Sequence, residues 1–190
     1  MLIAFEGLDN SGKTIISERL SEELKLLGYD VGYDHEFETL IGKNILILNR
    51  EGSLDPITKT FLFACDRHIR LKKYTESDFE NKIIIFDRYV PSAVAYRMAE
   101  NIERSWVENV NSVFPVPDLT FYIDITADES IKRRTPNKQS LNYTEEELNK
   151  VREAYLSIFG DYNMVRVDGM RPFDEVYDDV WDRIKSRLYV

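Results

Sequence analysis

Apolar residues fall along the chain in two rhythms. Short runs with almost no polar interruption, Leu2-Ile3-Ala4-Phe5, Ile83-Ile84-Ile85-Phe86 and Leu119-Thr120-Phe121-Tyr122-Ile123, have the make-up of strands covered on both faces. Met164-Val165-Arg166-Val167 is a weaker run, and Asp30-Val31-Gly32-Tyr33 is a further strand candidate. Between the runs, apolar positions recur at helical spacing. Ile16, Leu20, Leu24 and Leu27 predict a helix after the first strand. Helical patterns follow over Pro56 to about Lys73 and Pro91 to about Asn111, the second with Pro91 at its first position. Thr144 and Glu147 form a capping box ahead of Leu148, Val151, Tyr155, Ile158 and Phe159. Phe173, Val176, Tyr177, Val180, Trp181, Ile184 and Leu188 make the last stripe. Strand and helix alternate without repeat, low-complexity tract or linker. The alternation predicts an α/β fold, a three-layer α/β/α sandwich on a central, mostly five-stranded parallel sheet, with residues 1–190 forming a single domain.

Composition narrows the partners. No run approaches the ~20 apolar residues of a membrane span, and a glutamate already at position 6 does not suit a signal peptide. Cys65 is the single cysteine, so an internal disulfide and a cysteine-rich metal site are excluded, and a cytoplasmic location fits. A net charge of −9 argues against nucleic-acid and membrane partners. Cys65 is expected to be buried and His68 solvated, with Trp106 and Trp181 in the core or an interface.

The chemistry starts at Gly7-Leu8-Asp9-Asn10-Ser11-Gly12-Lys13-Thr14, which reads G-x-x-x-x-G-K-T between a strand and a helix. Gly7 and Gly12 let the backbone curl so that successive N–H groups face an anion. The following helix adds the positive end of its dipole. Lys13 would neutralise outer phosphates and Thr14 would hold Mg²⁺. Asp87 and Arg88 end another strand and should face the same crevice. Asp87 suits Mg²⁺ or its waters, and Arg88 suits a phosphate, unless the two form a strand-end ion pair. Lys132, Arg133, Arg134 and Lys138 crowd seven residues of an acidic chain. Thr135 to Tyr143 lacks apolar periodicity, so residues 132–143 read as a short basic lid over phosphates. The alternative is cations that complement the dipole of the preceding helix.

Together these residues resemble the thymidylate kinase family of P-loop nucleoside monophosphate kinases. Phe5 to Thr14 resembles its F-E-G-x-D-x-x-G-K-[ST] loop, and Leu62-Phe63-Ala64-Cys65-Asp66-Arg67 its L-F-x-x-[DN]-R helix. Asp87-Arg88-Tyr89, Ser92 and Ala95-Tyr96 are similar to D-R-Y-x-x-S-x-x-A-Y. Phe121-Tyr122-Ile123-Asp124 with Arg133 and Arg134 resembles the strand leading into the lid, and Val151 to Tyr155 the helix after it. The resemblance implies ATP as phosphate donor, dTMP as acceptor, Mg²⁺, and a homodimer. Residues 7–14 and Arg133 would hold the donor. Phe63 would stack on the pyrimidine, unless it packs in the core. Arg67 would reach a base oxygen or the acceptor phosphate. Arg88 would hold that phosphate, with Ser92 beneath it, and Tyr96 would favour deoxyribose. Asp9 would position Mg²⁺ or the acceptor sugar. Lys13, Asp9, Arg88 and Arg134 are the catalytic candidates, and either lid arginine could be the one that touches the phosphates.

The chain also departs from the family pattern. After the second strand, where the family places an acceptor-phosphate arginine, it reads Asp34-His35-Glu36-Phe37-Glu38-Thr39. Ala93 stands where relatives often carry a polar residue, and Arg97 follows Tyr96 where other side chains are usual. A different or broader nucleotide acceptor is therefore an alternative. A GTPase-type switch would need N-K-x-D, and Asn137-Lys138-Gln139-Ser140 lacks the aspartate.

Overall fold

Alternation along the strands sets up the layers. In β1 (Leu2–Glu6), Leu2 and Ala4 turn to one face while Ile3 and Phe5 turn to the other. The computed structural model describes residues 1–135 and 141–188. Its sheet adds β2 (Val31–His35), β3 (Ile83–Asp87), β4 (Leu119–Asp124) and β5 (Met164–Asp168), all parallel, in the order β2-β3-β1-β4-β5. On the Ile3 face pack α1 (Lys13–Leu26) and α9 (Phe173–Leu188), through Ile16, Leu20, Leu24, Val176, Val180 and Ile184. On the Ala4 face pack α5 (Val90–Ala99) and α8 (Glu145–Ser157), through Val94, Ala95, Leu148, Val151 and Tyr155. This is the expected α/β sandwich with a five-stranded parallel sheet.

The remaining described helices are α2 (Leu40–Arg50), α3 (Pro56–Leu71), α4 (Glu76–Asn81), α6 (Arg104–Asn111) and α7 (Ala127–Lys132). None of the described helices is long and apolar enough to cross a membrane. Phe5 and His35 both lie opposite Asp87 in register, so β1, β2 and β3 end side by side. The chain winds from β1 out to one sheet edge and then returns past β1 to the other, which makes the carboxyl end of β1 a switch point where α/β sheets take ligands.

Several expectations need correction. The single helix over Pro91–Asn111 is two, because Asn101 takes a left-handed φ of 63° and closes α5 before Glu103 caps α6. Pro91 is second in its helix, after Val90. α2 and α4 carry no pattern read above. Leu27 caps α1 and is exposed. Cys65 is exposed, on the outer side of α3. Trp106 and Trp181 are half-buried, and His68 is exposed as expected. Pro136 to Ser140, including Lys138 of the basic lid, lie outside the described residues.

Candidate active site

The glycine loop forms because its backbone has no other way through. Gly7 has φ 145°, and a Cβ there would sit 2.5 Å from the Ile123 carbonyl oxygen. The chain then enters α1, with Gly12 as N-cap at φ 94°. The N–H groups of the first turn and the positive dipole end thus face the hollow of the loop. Lys13 is buried and folded back, donating from Nζ to the Leu8 carbonyl at 3.0 Å. Asn10 donates from Nδ2 to the Ser130 carbonyl at 3.1 Å, and Ser130 Oγ donates to the Asp9 carbonyl at 2.6 Å. Those two bonds tie α7 to the loop.

Thr14 and Asp87 meet as the spacing predicts. Thr14 Oγ1 donates to Asp87 Oδ2 at 2.5 Å. The other carboxylate oxygen, Asp87 Oδ1, is buried with no hydrogen-bond partner among the described residues. No three His, Cys, Asp or Glu side chains gather as a metal cage among the described residues. One hydroxyl and one unsatisfied carboxylate oxygen fit Mg²⁺, which takes one or two protein oxygens and completes its shell with phosphates and water.

Beside the loop opens a cavity of about 240 Å³, lined among others by Asp9, Lys13, Thr14, Glu36, Phe63, Arg67, Asp87, Arg88, Ser92 and Tyr96. Arg88 lines it with several partners. Its φ of 66° is unusual for a non-glycine residue and marks a strained turn at the end of β3. Nη2 donates to Asp9 Oδ1 and, at 3.2 Å, to Tyr96 OH, while Nη1 donates to Ser92 Oγ at 3.2 Å. Nε lies 3.4 Å from Glu36 Oε2. Burial works against the charge on Arg88, but Tyr96, Asp9 and Glu36 around it carry its pKa well above the ordinary value. Burial pushes Glu36 up to about 7, against the pull of Arg88, Arg70 and Arg67. Burial also raises Tyr96, which stays a neutral hydroxyl. Behind them, Glu6 accepts from Ser92 Oγ, from the Tyr89 amide at 2.8 Å and from Tyr155 OH at 3.0 Å. Arg70 donates to the carbonyls of Asp87 and Arg88 at 3.2 and 3.4 Å and to Asp34 at 2.8 Å, fixing the strand end.

Phe63 is on the cavity wall with Phe37 edge-on to it at 6.0 Å, so it is not a plain core residue. Arg67 lines the cavity but commits its terminal nitrogens, Nη1 to Asn111 Oδ1 at 2.6 Å and Nη2 to the Tyr89 carbonyl at 3.1 Å. Its Nε is buried without a hydrogen-bond partner among the described residues. Arg133 and Arg134 do not line the cavity. Arg133 donates to Glu129 and to the Gly169 carbonyl at 2.7 and 3.1 Å, and Arg134 to the Tyr143 carbonyl at 2.6 Å. Glu36, Phe37, Arg97 and Tyr143 join the lining without having been assigned there by the motifs. The position of Glu36 and Phe37 directly after β2 was the one signal that could have found them.

An anion hollow and an aromatic-walled cavity thus share Lys13, Thr14, Asp87 and Arg88, an arrangement able to bring two phosphorylated molecules together. Residues 5–180 match the sequence profile of the family described as thymidylate kinase. A probable thymidylate kinase of Sulfurisphaera tokodaii is 36% identical over 177 residues, 92% of this chain and 90% of that protein. A probable thymidylate kinase of Sulfolobus acidocaldarius is 34% identical over 98% of this chain and 97% of its own length. A thymidylate kinase of Thermoanaerobacter is 32% identical over 98% of each. Likeness of that extent makes this chain a phosphotransferase and a member of the thymidylate kinase family.

Proposed function

We propose that the protein transfers the γ-phosphoryl group of ATP to dTMP, giving ADP and dTDP for dTTP synthesis. The carrying observation is that Lys13, Thr14, Asp87 and Arg88 line one cavity continuous with the glycine loop. A phosphate oxygen of the acceptor attacks the γ-phosphorus, and the bond from that phosphorus to the bridging β-γ oxygen breaks. No covalent enzyme intermediate is needed, so catalysis is positioning and charge cancellation. Residues 7–14 cradle the donor phosphates, and Lys13 leaves the Leu8 carbonyl to neutralise them. Arg88 exchanges Asp9 and Glu36 for the acceptor phosphate and steadies charge during transfer. Ser92 and Tyr96 keep its guanidinium in plane, Tyr96 packs against the deoxyribose, and Phe63 stacks on the pyrimidine. Asp9, released from Arg88, orients the acceptor sugar. Arg133 serves the donor and Arg134 the transferring group. Thr14 and Asp87 would hold Mg²⁺, which when bound supplies further charge neutralisation.

Lys13→Ala tests this reading. The purified variant is expected to lose ATP-dependent dTMP phosphorylation by roughly 10³-fold or more while its melting temperature stays near that of the parent. Phosphorylation at the parental rate would overturn it, as would a parent that prefers a purine monophosphate.

The working form is a cytoplasmic homodimer. Ile57, Phe61, Cys65 and Ile69 recur every four residues along α3 and are all exposed, an apolar stripe that a second copy would cover. Phe61 is held edge-on against Trp106 at 5.6 Å, which stiffens that stripe.

A further inference from the structure

Behind the cavity lies a buried carboxylate that the mechanism leaves idle. Glu6 is the last residue of β1, fully buried, and Gly7 of the glycine loop follows it. The Arg88 amide donates to the Phe5 carbonyl at 2.9 Å, so Glu6 and the Arg88 turn leave neighbouring strands side by side. Glu6 grips that turn twice. Oε1 accepts from the Tyr89 amide at 2.8 Å, which anchors the backbone immediately after the left-handed Arg88. Oε2 accepts from Ser92 Oγ, and that hydroxyl oxygen accepts from Arg88 Nη1 at 3.2 Å. Tyr155 OH, from α8, donates to Glu6 Oε2 at 3.0 Å and lies 2.8 Å from Ser92 Oγ. A hydroxyl that donates to a carboxylate becomes a better acceptor, so the charge on Glu6 tightens the hold of Ser92 on the guanidinium. Asp9 and Glu36 also face Arg88, but both line the cavity, where the acceptor phosphate replaces them. Glu6 stands behind Ser92 and stays in place when they leave.

We propose that Glu6 is a positioning residue for phosphoryl transfer: through the Tyr89 amide and Ser92 it fixes the backbone and the guanidinium of Arg88 at one distance from the glycine loop, and so brings the acceptor phosphate into line with the donor. The inference rests on the role of Arg88 proposed above. In-line transfer is sensitive to placement, and a shift of about 1 Å can cost about 10²-fold in rate. Without Glu6, Arg88 keeps its charge and still draws a phosphate in, but no longer holds it in a single place. The loss therefore falls on kcat more than on binding. Glu6 adjoins Gly7, so a residue that merely propped up the strand end would disturb the donor as much as the acceptor.

The test measures dTMP phosphorylation, and separately the Kd for ATP without acceptor, in the parent, Glu6→Gln, Arg88→Lys and the double variant. Glutamine keeps the shape and an acceptor for the Tyr89 amide, but it turns an NH₂ on Ser92, where it competes with Arg88 for the same hydroxyl oxygen. Glu6→Gln is expected to lower kcat for dTMP by roughly 10- to 100-fold and to leave the Kd for ATP within about twofold. In the Arg88→Lys background the same change is expected to cost less than about threefold, because the guanidinium through which Glu6 acts is already gone. Losses that multiply in the double variant would make Glu6 a support of the fold and overturn the proposal. A Kd for ATP that rises in step with the loss of kcat would make it a prop of the glycine loop and overturn it too, as would parental kcat in Glu6→Gln. If Glu6→Gln does not fold, Glu6→Asp takes its place. That variant keeps the charge but is one methylene too short to reach both the Tyr89 amide and Ser92, so the same selective loss is expected, and parental kcat overturns the proposal. A parent that does not phosphorylate dTMP refutes the acceptor reading, and the role of Glu6 falls with it, whereas each contrary result in an active parent refutes the role of Glu6 alone.

Discussion

Glu36 is an acid packed 3.4 Å from the guanidinium of Arg88, the group proposed to receive a phosphate. Burial lifts it from 4.5 to about 7. Between those values the folded protein holds a proton that the unfolded chain has released. The native state then binds more protons than the unfolded state, so this group's contribution to stability is fully present below about pH 4.5 and is lost as pH rises through about 7. Glu36→Gln removes that loss. Thermal melts should show the variant gaining on the parent as pH rises from 5.5 to 8, and its KM for dTMP should fall below the parental value at pH 8, where the parent carries a carboxylate against the incoming phosphate. Parallel pH curves for the two proteins would remove Glu36 from the acceptor site. Lys13, Thr14, Asp87 and Arg88 were legible in the sequence because each sits at a fixed offset from a glycine or a strand end. Glu36 was not, because what makes it matter is its approach to Arg88, which only the packed chain provides.

At the level of elements, the acceptor wall depends on how α2 docks. Thr39 caps α2 by accepting from the Gly42 amide at 3.0 Å, and its hydroxyl donates to Asp66 of α3. A Cβ on Gly42 would lie 2.5 Å from Phe37 Cα and 2.9 Å from Asp66 Oδ1. Gly42→Ala must therefore push the His35–Phe37 segment along the cavity wall. Overpacking of this kind costs about 1–3 kcal/mol, so the variant is expected to raise KM for dTMP by about tenfold and leave KM for ATP near the parental value. A rise in both would mean that α2 supports the whole fold rather than one wall. The pattern of apolar residues hid this helix. Ile45 to Leu48 form an unbroken run of four apolar residues, which by itself reads as well for a strand as for a helix. The division of α5 from α6 was hidden for another reason, since the left-handed Asn101 leaves no trace in apolar spacing. Capping chemistry carried the better signal, as at Thr144, where the predicted box is present.

For the whole molecule, the sandwich was legible because the central strands are buried throughout and so read as continuous apolar runs. The proposed subunit contact on α3 was not, since exposure of a helix face is known only once the core is known. Sedimentation should find the parent as a dimer and Phe61→Glu as a folded monomer, because a carboxylate on the α3 stripe would be buried unpaired in the joint. A monomeric parent would end the dimer reading. The strand order has its own mechanical result. β1, stem of the nucleotide cradle, is bonded to a strand on either side, whereas β2, which leads into His35–Phe37, lies at the margin and is bonded on one side only. On the proposed assignment the donor would seat against a strand held on both flanks, and the acceptor beside the strand expected to loosen first.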